Sequence, residues 1–100
     1  MKSCLVATQI RKILLDVLKP HEPQIQELAS KLGALPGISE VSISLAEIDQ
    51  STESIKVSID GTDISIDSVR KTLEELGAVI HSIDQVSVAK KKKTSRSRQA

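Results

Sequence analysis

The segment Lys19–Pro23, which reads Lys-Pro-His-Glu-Pro, separates a strand-like run from a helix-like run, and this junction limits the folds open to the chain. In the preceding run, Ile10–Leu18, apolar residues alternate as they do on one face of a strand. The two prolines stop that strand, and Pro23 suits the first position of a helix because its missing N–H is not needed there. The segment therefore predicts the first strand-to-helix turn of a small α+β domain.

The next stretch predicts one helix and a pair of strands. Apolar residues recur at helical spacing through residues 25–32, and Gly33 suits the position just after a helix. The runs 41–45 and 55–59 alternate between apolar and polar residues, and the polar segment 49–53 between them is typical of a hairpin loop. We therefore expect a helix followed by a β-hairpin.

The last part of the domain predicts a second helix and a fourth strand. Asp63 or Ser65 is expected to cap the helix, and Gly77 to end it. Residues 79–88 predict the strand, and a slip in their alternation near Ile83 is typical of a β-bulge. The complete order is that of a ferredoxin-like βαββαβ sandwich, an α+β fold with a four-stranded antiparallel sheet in the order 4-1-3-2 and both helices on one face.

Composition narrows the class of protein. The chain has 100 residues, enough for one domain, and it has no Phe, Tyr or Trp, so its core must consist of Ile, Val and Leu. No stretch approaches the roughly 20 apolar residues of a membrane-spanning helix, and Met1–Ala7 is too weakly apolar for a signal peptide. Cys4 is the single cysteine, so an internal disulfide is excluded. These features favour a cytoplasmic protein with an extension at residues 1–9 and a folded domain at residues 10–89.

Charge separates the end of the chain from the rest. Residues 1–89 carry 8 basic and 13 acidic side chains, a net charge of −5, whereas residues 90–100 hold six basic residues and no acidic one. This last segment has no apolar periodicity, so we predict a disordered basic tail. It binds nucleic acid through phosphates, pairs with the acidic domain of a neighbouring copy, or serves only as a solubilising appendage. Its basic residues are Lys90, Lys91, Lys92, Lys93, Arg96 and Arg98. The lack of aromatic residues argues against base stacking on the sheet.

Two segments of the chain resemble a known family. Leu15–Pro23 and Val79–Val86 look like the corresponding segments of the archaeal domain-of-unknown-function family 211. The resemblance covers about residues 10–89 and leaves out both termini. It implies an archaeal cytoplasmic protein with a ferredoxin-like fold and a tendency to form homo-oligomers, and no enzymatic activity is assigned to the family.

Four polar residues are candidates for a divalent-metal site. We expect the first and third strands to run parallel as neighbours, which would bring their carboxyl ends together with the start of the fourth strand. His21, Glu22, Asp63 and His81 would then converge, and two imidazoles with two carboxylates can hold a divalent cation. The alternative is that both carboxylates interact with helix N-termini and both histidines are ordinary polar residues, which is the more common situation.

The face of the sheet without helices offers a second candidate site. Asp16 on a central strand and Asp60 on its neighbour are expected to share this face. Paired carboxylates can perform acid–base chemistry or hold a hard cation. Ion pairs with Lys12 and Lys56 are the simpler expectation, because charged pairs on an open sheet face need no function.

The same face predicts a contact between copies of the chain. Leu14 and Leu18 are large apolar residues on the side without helices, as in a partner surface. The sequence has neither a P-loop nor a glycine-rich dinucleotide-binding turn, so we predict no enzyme. It favours a non-enzymatic, homo-oligomeric binding module for a divalent metal ion or a small ligand. The alternative is a nucleic-acid-associated protein that uses its basic tail.

Overall fold

A computed structural model describes residues 8–90, whose elements follow the predicted order. They are β1 (Thr8–Pro20), α1 (Ile25–Gly33), β2 (Ile38–Ile48), β3 (Thr52–Gly61), α2 (Ile66–Glu75) and β4 (Val79–Lys90). The strands form one sheet in the order β2-β3-β1-β4, and every neighbouring pair is antiparallel. This architecture confirms the predicted ferredoxin-like α+β fold.

The core of the described domain is built from aliphatic side chains on one face of the sheet and on the two helices. Alternate residues of the central strands face the helices and lie opposite one another: Ile13 with Ile59, Leu15 with Val57, and Val17 with Ile55. The helices contribute Leu28, Leu32, Val69 and Leu73. Full burial of such a side chain contributes roughly 1.5–3 kcal/mol, so a core without aromatic residues can support the domain.

The direction of β3 differs from our expectation. β1 and β3 are neighbours but run antiparallel, with Lys12 opposite Asp60 and Pro20 opposite Thr52. The reason is that β2 and β3 form a hairpin, which reverses the chain before it returns beside β1. The carboxyl end of β1 therefore meets the amino end of β3. We call this the Pro20 end of the sheet, and we call the opposite end, where β3 finishes, the Gly61 end.

The limits of α1 differ slightly from those predicted. Its N-cap residue is Gln24, so Pro23 precedes the cap and is not the first helical residue. Gly33 is the last residue of the helix, and Ala34 takes the C-cap position. The carbonyl groups of the last turn accept hydrogen bonds from backbone N–H groups, so α1 ends without a glycine in the left-handed conformation.

Two residues, Asp63 and Ser65, were predicted to cap the N-terminus of α2, and the structure identifies which of them does so. The hydroxyl of Ser65 accepts a hydrogen bond from the backbone N–H of Ser68 at 3.2 Å, so Ser65 is the cap. Asp63 instead adopts a left-handed backbone conformation with φ 60° in the preceding turn. Gly77 follows the helix with φ 84°, as expected for a glycine that ends it.

The pairing of β4 with β1 contains three register shifts, and one of them is the predicted bulge. Leu14 lies opposite Gln85 and Leu15 opposite Ile83, so Asp84 is an extra residue beside the predicted position. A further register shift leaves His81 as an extra residue. Such bulges turn a side chain out of strict alternation, and both of these residues contact charged groups on the helix-free face.

The ends of the domain extend beyond the predicted boundaries. β1 begins at Thr8 and β4 includes Lys90. The predictions for the amino-terminal extension, including Cys4, and for the rest of the basic tail lie outside the described residues. Neither α1 nor α2 is long and apolar enough to cross a membrane.

Candidate functional site

A fully buried lysine lies at the Pro20 end of the sheet. The side chain of Lys19 has no exposed surface, and its Nζ donates to Oε1 of Glu53 at 2.8 Å. It also donates to the backbone carbonyls of Pro20 at 2.8 Å and His21 at 3.4 Å. An ammonium group has three N–H donors, so these three acceptors compensate the loss of water that burial imposes.

His21 joins the same group from the turn after β1. Its Nδ1 lies 3.1 Å from Oε2 of Glu53, and its Nε2 lies 2.9 Å from the backbone carbonyl of Gln50 in the β2–β3 hairpin. The hydrogen bond to Glu53, and after it the one to Gln50, raise the pKa of His21 above its ordinary value of 6.5. The three side chains form what we call the Lys19–Glu53–His21 cluster.

The carboxylate at the centre of the cluster is held in its charged form. The hydrogen bond from Lys19 lowers the pKa of Glu53, and the hydrogen bond from His21 lowers it further. Each oxygen of the carboxylate thus has its own cationic partner or donor. The cluster fixes the position of Glu53 relative to both β1 and the turn.

The cluster borders an open depression of about 400 Å³ beside the start of α1, which we call the α1 depression. Glu22, Gln24 and Gln26 supply further polar lining, and Ile25 and Leu45 supply apolar lining. The side-chain amide of Gln26 donates to the side-chain oxygen of Gln24 at 2.7 Å. A charged wall, two amides and two aliphatic groups can hold a small molecule with both polar and apolar parts.

The predicted metal-ligand set is not brought together. His21 and Glu22 lie at the Pro20 end, whereas Asp63 lies at the Gly61 end, where the next residue donates its backbone N–H to the carbonyl of Ile10. His81 lies on the helix-free face. Within residues 8–90 no three His, Cys, Asp or Glu side chains are placed to share a metal ion. The four-residue set was wrong because β3 runs antiparallel to β1, which places Asp63 at the other end of the sheet, and because His81 lies on the helix-free face.

The second predicted site consists of separate ion pairs. Asp16 contacts Lys56 at 3.7 Å and Asp60 contacts Lys12 at 3.6 Å, so the expected pairing with these lysines is confirmed. Asp16 on β1 lies opposite Lys56 on β3, and Lys56 is four residues away from Asp60 along β3. This spacing corresponds to about 13 Å, which is too far for the carboxylates to act as a pair. The prediction of a shared acidic site was therefore wrong.

The bulges of β4 extend the charged network around Asp16. His81 Nδ1 lies 3.5 Å from Oδ2 of Asp16, and Asp84 lies 3.4 Å from Nζ of Lys56. The hydroxyl of Ser82 donates to Asp84 at 2.9 Å. This hydrogen bond lowers the pKa of Asp84, with a further contribution from Lys56. All of these groups are partly solvent-exposed, so we interpret the network as a polar surface of the sheet.

The residues predicted to contact another copy lie on the helix-free face as expected, but they are less exposed than several other aliphatic side chains. Leu14 and Leu18 are half-buried on the helix-free face, and Leu18 borders a mostly apolar depression of about 410 Å³ together with Val79. The more exposed aliphatic side chains of the described domain lie on the two edge strands. They are Leu45 and Ile48 on β2, and Val79, Ile83, Val86 and Val88 on β4.

Lys19 and Glu53 were not predicted from the sequence as candidate site residues, although they form the centre of the cluster. A signal was present, because position 19 continues the series 13, 15 and 17 whose side chains face the helices. Glu53 starts the equivalent series on β3. A charged residue at a position where alternation requires an apolar one indicates a buried polar partner.

The fold and the cluster define a small α+β protein of the ferredoxin-like class. The sequence profile of domain-of-unknown-function family 211, DUF211, described as "Uncharacterized ArCR", matches residues 11–99. The chain belongs to this family. It is also similar to the uncharacterized protein MJ0319 of Methanocaldococcus jannaschii, with 49% identity over 82 residues, or 82% of this chain and 84% of that protein. The family match includes most of the basic tail, which we had expected to lie outside it.

Proposed function

We propose that this protein is a non-enzymatic binding module that holds a small ligand in the α1 depression. The observation that carries the proposal is the depression itself, about 400 Å³ of open space beside Glu53. Buried Lys19 anchors this carboxylate from within the domain. A largely preformed concavity with a few placed polar groups is the ordinary form of a small-molecule site.

The lining favours a zwitterionic ligand with an aliphatic part. Glu22 offers a carboxylate to an amine. The N-terminus of α1 has no side-chain cap, so the backbone N–H groups that precede Glu27 are suited to a ligand carboxylate, whereas that of Glu27 donates to Gln24. Ile25 and Leu45 offer apolar surface to an alkyl group. A free amino acid with an aliphatic side chain combines these three groups.

The same contacts argue for binding without catalysis. Each carboxylate oxygen of Glu53 already has a hydrogen-bond partner, Lys19 for one and His21 for the other. The second ring nitrogen of His21 contacts the backbone carbonyl of Gln50. A general acid or base must be able to exchange its proton with a substrate. Because the titratable groups of the cluster are engaged with one another, we assign them to shaping the depression.

An NMR titration with L-leucine tests this proposal. At about 10 mM ligand, roughly ten times a Kd of 1 mM, we expect saturable shifts of the backbone amides of residues 22–26, except Pro23, and of Leu45. Glu22→Gln should weaken the response because it removes the partner of the amine. Glu75→Gln, an exposed position on α2, is the matched control. The proposal fails if neither leucine nor the other free amino acids shift these amides.

We further propose that the module assembles with copies of itself through the edges of its sheet. β4 is an edge strand of 12 residues, and Ile83, Val86 and Val88 on it are 43%, 42% and 54% exposed. An edge strand has unpaired backbone groups on its outer side, and exposed aliphatic residues beside them favour pairing with another strand. This surface replaces Leu14 and Leu18 as the main contact that we expect.

The alternative function is nucleic-acid association through the basic tail. Its support is the charge of the sequence, six basic residues and no acidic one in residues 90–100. The family match extends through residue 99 and so includes all six of these basic residues. Such an interaction would use phosphates and would be independent of base sequence.

A further inference from the structure

We propose that His21 is a proton-dependent clasp, which as an imidazolium ties the turn after β1 to the β2–β3 hairpin and on losing its proton releases the hairpin. The proposal goes beyond ligand binding, because it concerns two contacts within the chain. It gives the α1 depression a wall whose mobility depends on pH, since His21 and Glu53 both line it.

The geometry requires two ring protons. Nδ1 of His21 faces the carboxylate of Glu53 at 3.1 Å, and Nε2 faces the carbonyl of Gln50 at 2.9 Å. Both partners are acceptors only at these atoms, so each ring nitrogen must donate. A neutral imidazole has one N–H and can serve one of the two acceptors. The structure therefore corresponds to the imidazolium form.

Loss of the proton affects the two contacts unequally. A hydrogen bond to a charged carboxylate is about twice as strong as one to a neutral carbonyl, so the remaining proton stays on Nδ1 beside Glu53. Nε2 then presents a lone pair to the carbonyl oxygen of Gln50, and that contact becomes repulsive. Gln50 lies in the loop Asp49–Ser51, which is closed by a hydrogen bond from Asp49 N–H to the carbonyl of Thr52 at 2.8 Å. The loop loses its tie to the turn.

Glu53 and Lys19 act on the charge of the ring, and further carboxylates lie in the neighbouring segments. Glu53 of β3 favours the imidazolium and Lys19 of β1 opposes it. Glu22 is the adjacent residue of the turn, and Asp49 precedes Gln50 in the hairpin; both carboxylates have the sign that favours a cation. Glu27 is the acidic residue in the first turn of α1. Lys19 is a cation, and its charge disfavours the imidazolium form of His21.

The direction of the pH dependence follows from these contacts. The pKa of His21 is raised above 6.5 in the folded protein. Its contribution to folding is therefore complete below about pH 6.5 and is lost as the pH rises through the raised folded value. The clasp is therefore closed at mildly acidic pH and opens when the pH rises above the pKa of His21 in the folded protein.

An NMR titration of the full chain tests the clasp without any ligand. We expect the ring of His21 to titrate above 6.5, with both ring N–H groups present below that point. The amides of Gln50, Ser51 and Thr52 should shift with the same midpoint. His81 lies on the helix-free face, so His81→Gln is a control variant that should leave the pH-dependent shifts of these amides unchanged.

His21→Gln is the matched variant, because a glutamine keeps a hydrogen-bonding side chain but does not titrate in this range. The hairpin amides should lose their pH-dependent shift in this variant while the remaining amides keep theirs. The clasp is overturned if His21 titrates at or below 6.5, or if the hairpin shift persists in His21→Gln. Either result leaves the ligand proposal standing, because the leucine titration is a separate measurement.

Discussion

Lys19 and Glu53 lie directly opposite each other on β1 and β3, and the 2.8 Å ion pair between them connects residues 34 positions apart in the sequence. The lysine side chain is fully buried, whereas the glutamate side chain is 18% exposed and reaches the α1 depression. The pair thus couples the interior of the domain to the candidate site. Its two members are not equivalent, because only the ammonium is cut off from water.

This asymmetry predicts the order of stability of three variants. Glu53→Gln should destabilise the protein most, because it leaves a buried ammonium without its carboxylate. Lys19→Met should have a smaller effect, since the freed carboxylate reaches solvent and keeps His21 as a partner. The double variant, Lys19→Met with Glu53→Met, should lie within about 1 kcal/mol of the wild type or above it, as a buried ion pair replaced by apolar groups often does. Urea unfolding at pH 7 measures all three. A Lys19→Met variant less stable than Glu53→Gln would contradict this account.

A close approach of two backbone segments predicts a second stability difference. A Cβ atom on Gly61 would overlap the backbone carbonyl of Gly37, and backbone cannot move aside as a flexible side chain can. Gly61→Ala should therefore lower the free energy of unfolding by more than about 1 kcal/mol. Gly33→Ala is the control, because no atom outside its chain neighbours and the backbone of its own helix lies within 4 Å of its added Cβ. Gly33 is the last helical residue of α1, a backbone conformation that alanine also adopts, so the substitution should stabilise the protein by about 0.4–1 kcal/mol. Equal effects of the two substitutions in thermal unfolding would refute the prediction.

The exposed aliphatic residues of β4 predict that a charge introduced among them weakens assembly. Val86→Glu should shift the protein toward the monomer, since it places a carboxylate in the apolar part of the edge where strands would pair. Leu18→Glu should have a smaller effect, because that side chain is already half-buried in its own chain. Lys71→Glu on the exposed side of α2 is the control. Native mass spectrometry at micromolar concentration gives the oligomer directly. A monomeric wild type would end the assembly proposal.

The distribution of charge predicts the salt dependence of nucleic-acid binding. If all six basic residues of the tail neutralise phosphates, the log–log slope of affinity against salt should be about −5 for duplex DNA. Removing residues 91–100 should abolish binding, because the remaining residues 1–90 carry 9 basic and 13 acidic side chains, a net charge of −4. Lys90 should be kept in this variant, since it belongs to β4.

The outcome of the truncation separates two explanations. Binding that survives the truncation at moderate salt would place the binding surface on the folded domain. If the full chain fails to bind even at low salt, the nucleic-acid alternative is refuted. Fluorescence anisotropy over a series of salt concentrations measures both cases.

The local pattern of the chain was sufficient to predict the elements and most of the core. The alternation through Ile13, Leu15 and Val17 is a property of neighbouring residues, and it predicts both a strand and the face that is buried. The same is true of the spacing of Leu28 and Leu32 on α1. The slip near Ile83 marked the bulge in the same way. The ferredoxin-like fold follows from the order of such elements.

Only the tertiary structure decided which distant residues meet. The antiparallel pairing of β1 with β3 placed Asp63 far from His21 and brought Glu53 to Lys19, and no local pattern specifies that register. Strand pairing depends on how the whole sheet buries its apolar face, so it is a non-local property. A one-residue slip would turn every side chain of a strand to the other face. The sequence by itself therefore determined the elements and the identity of the core, whereas the candidate site arose from the pairing of strands far apart in the chain.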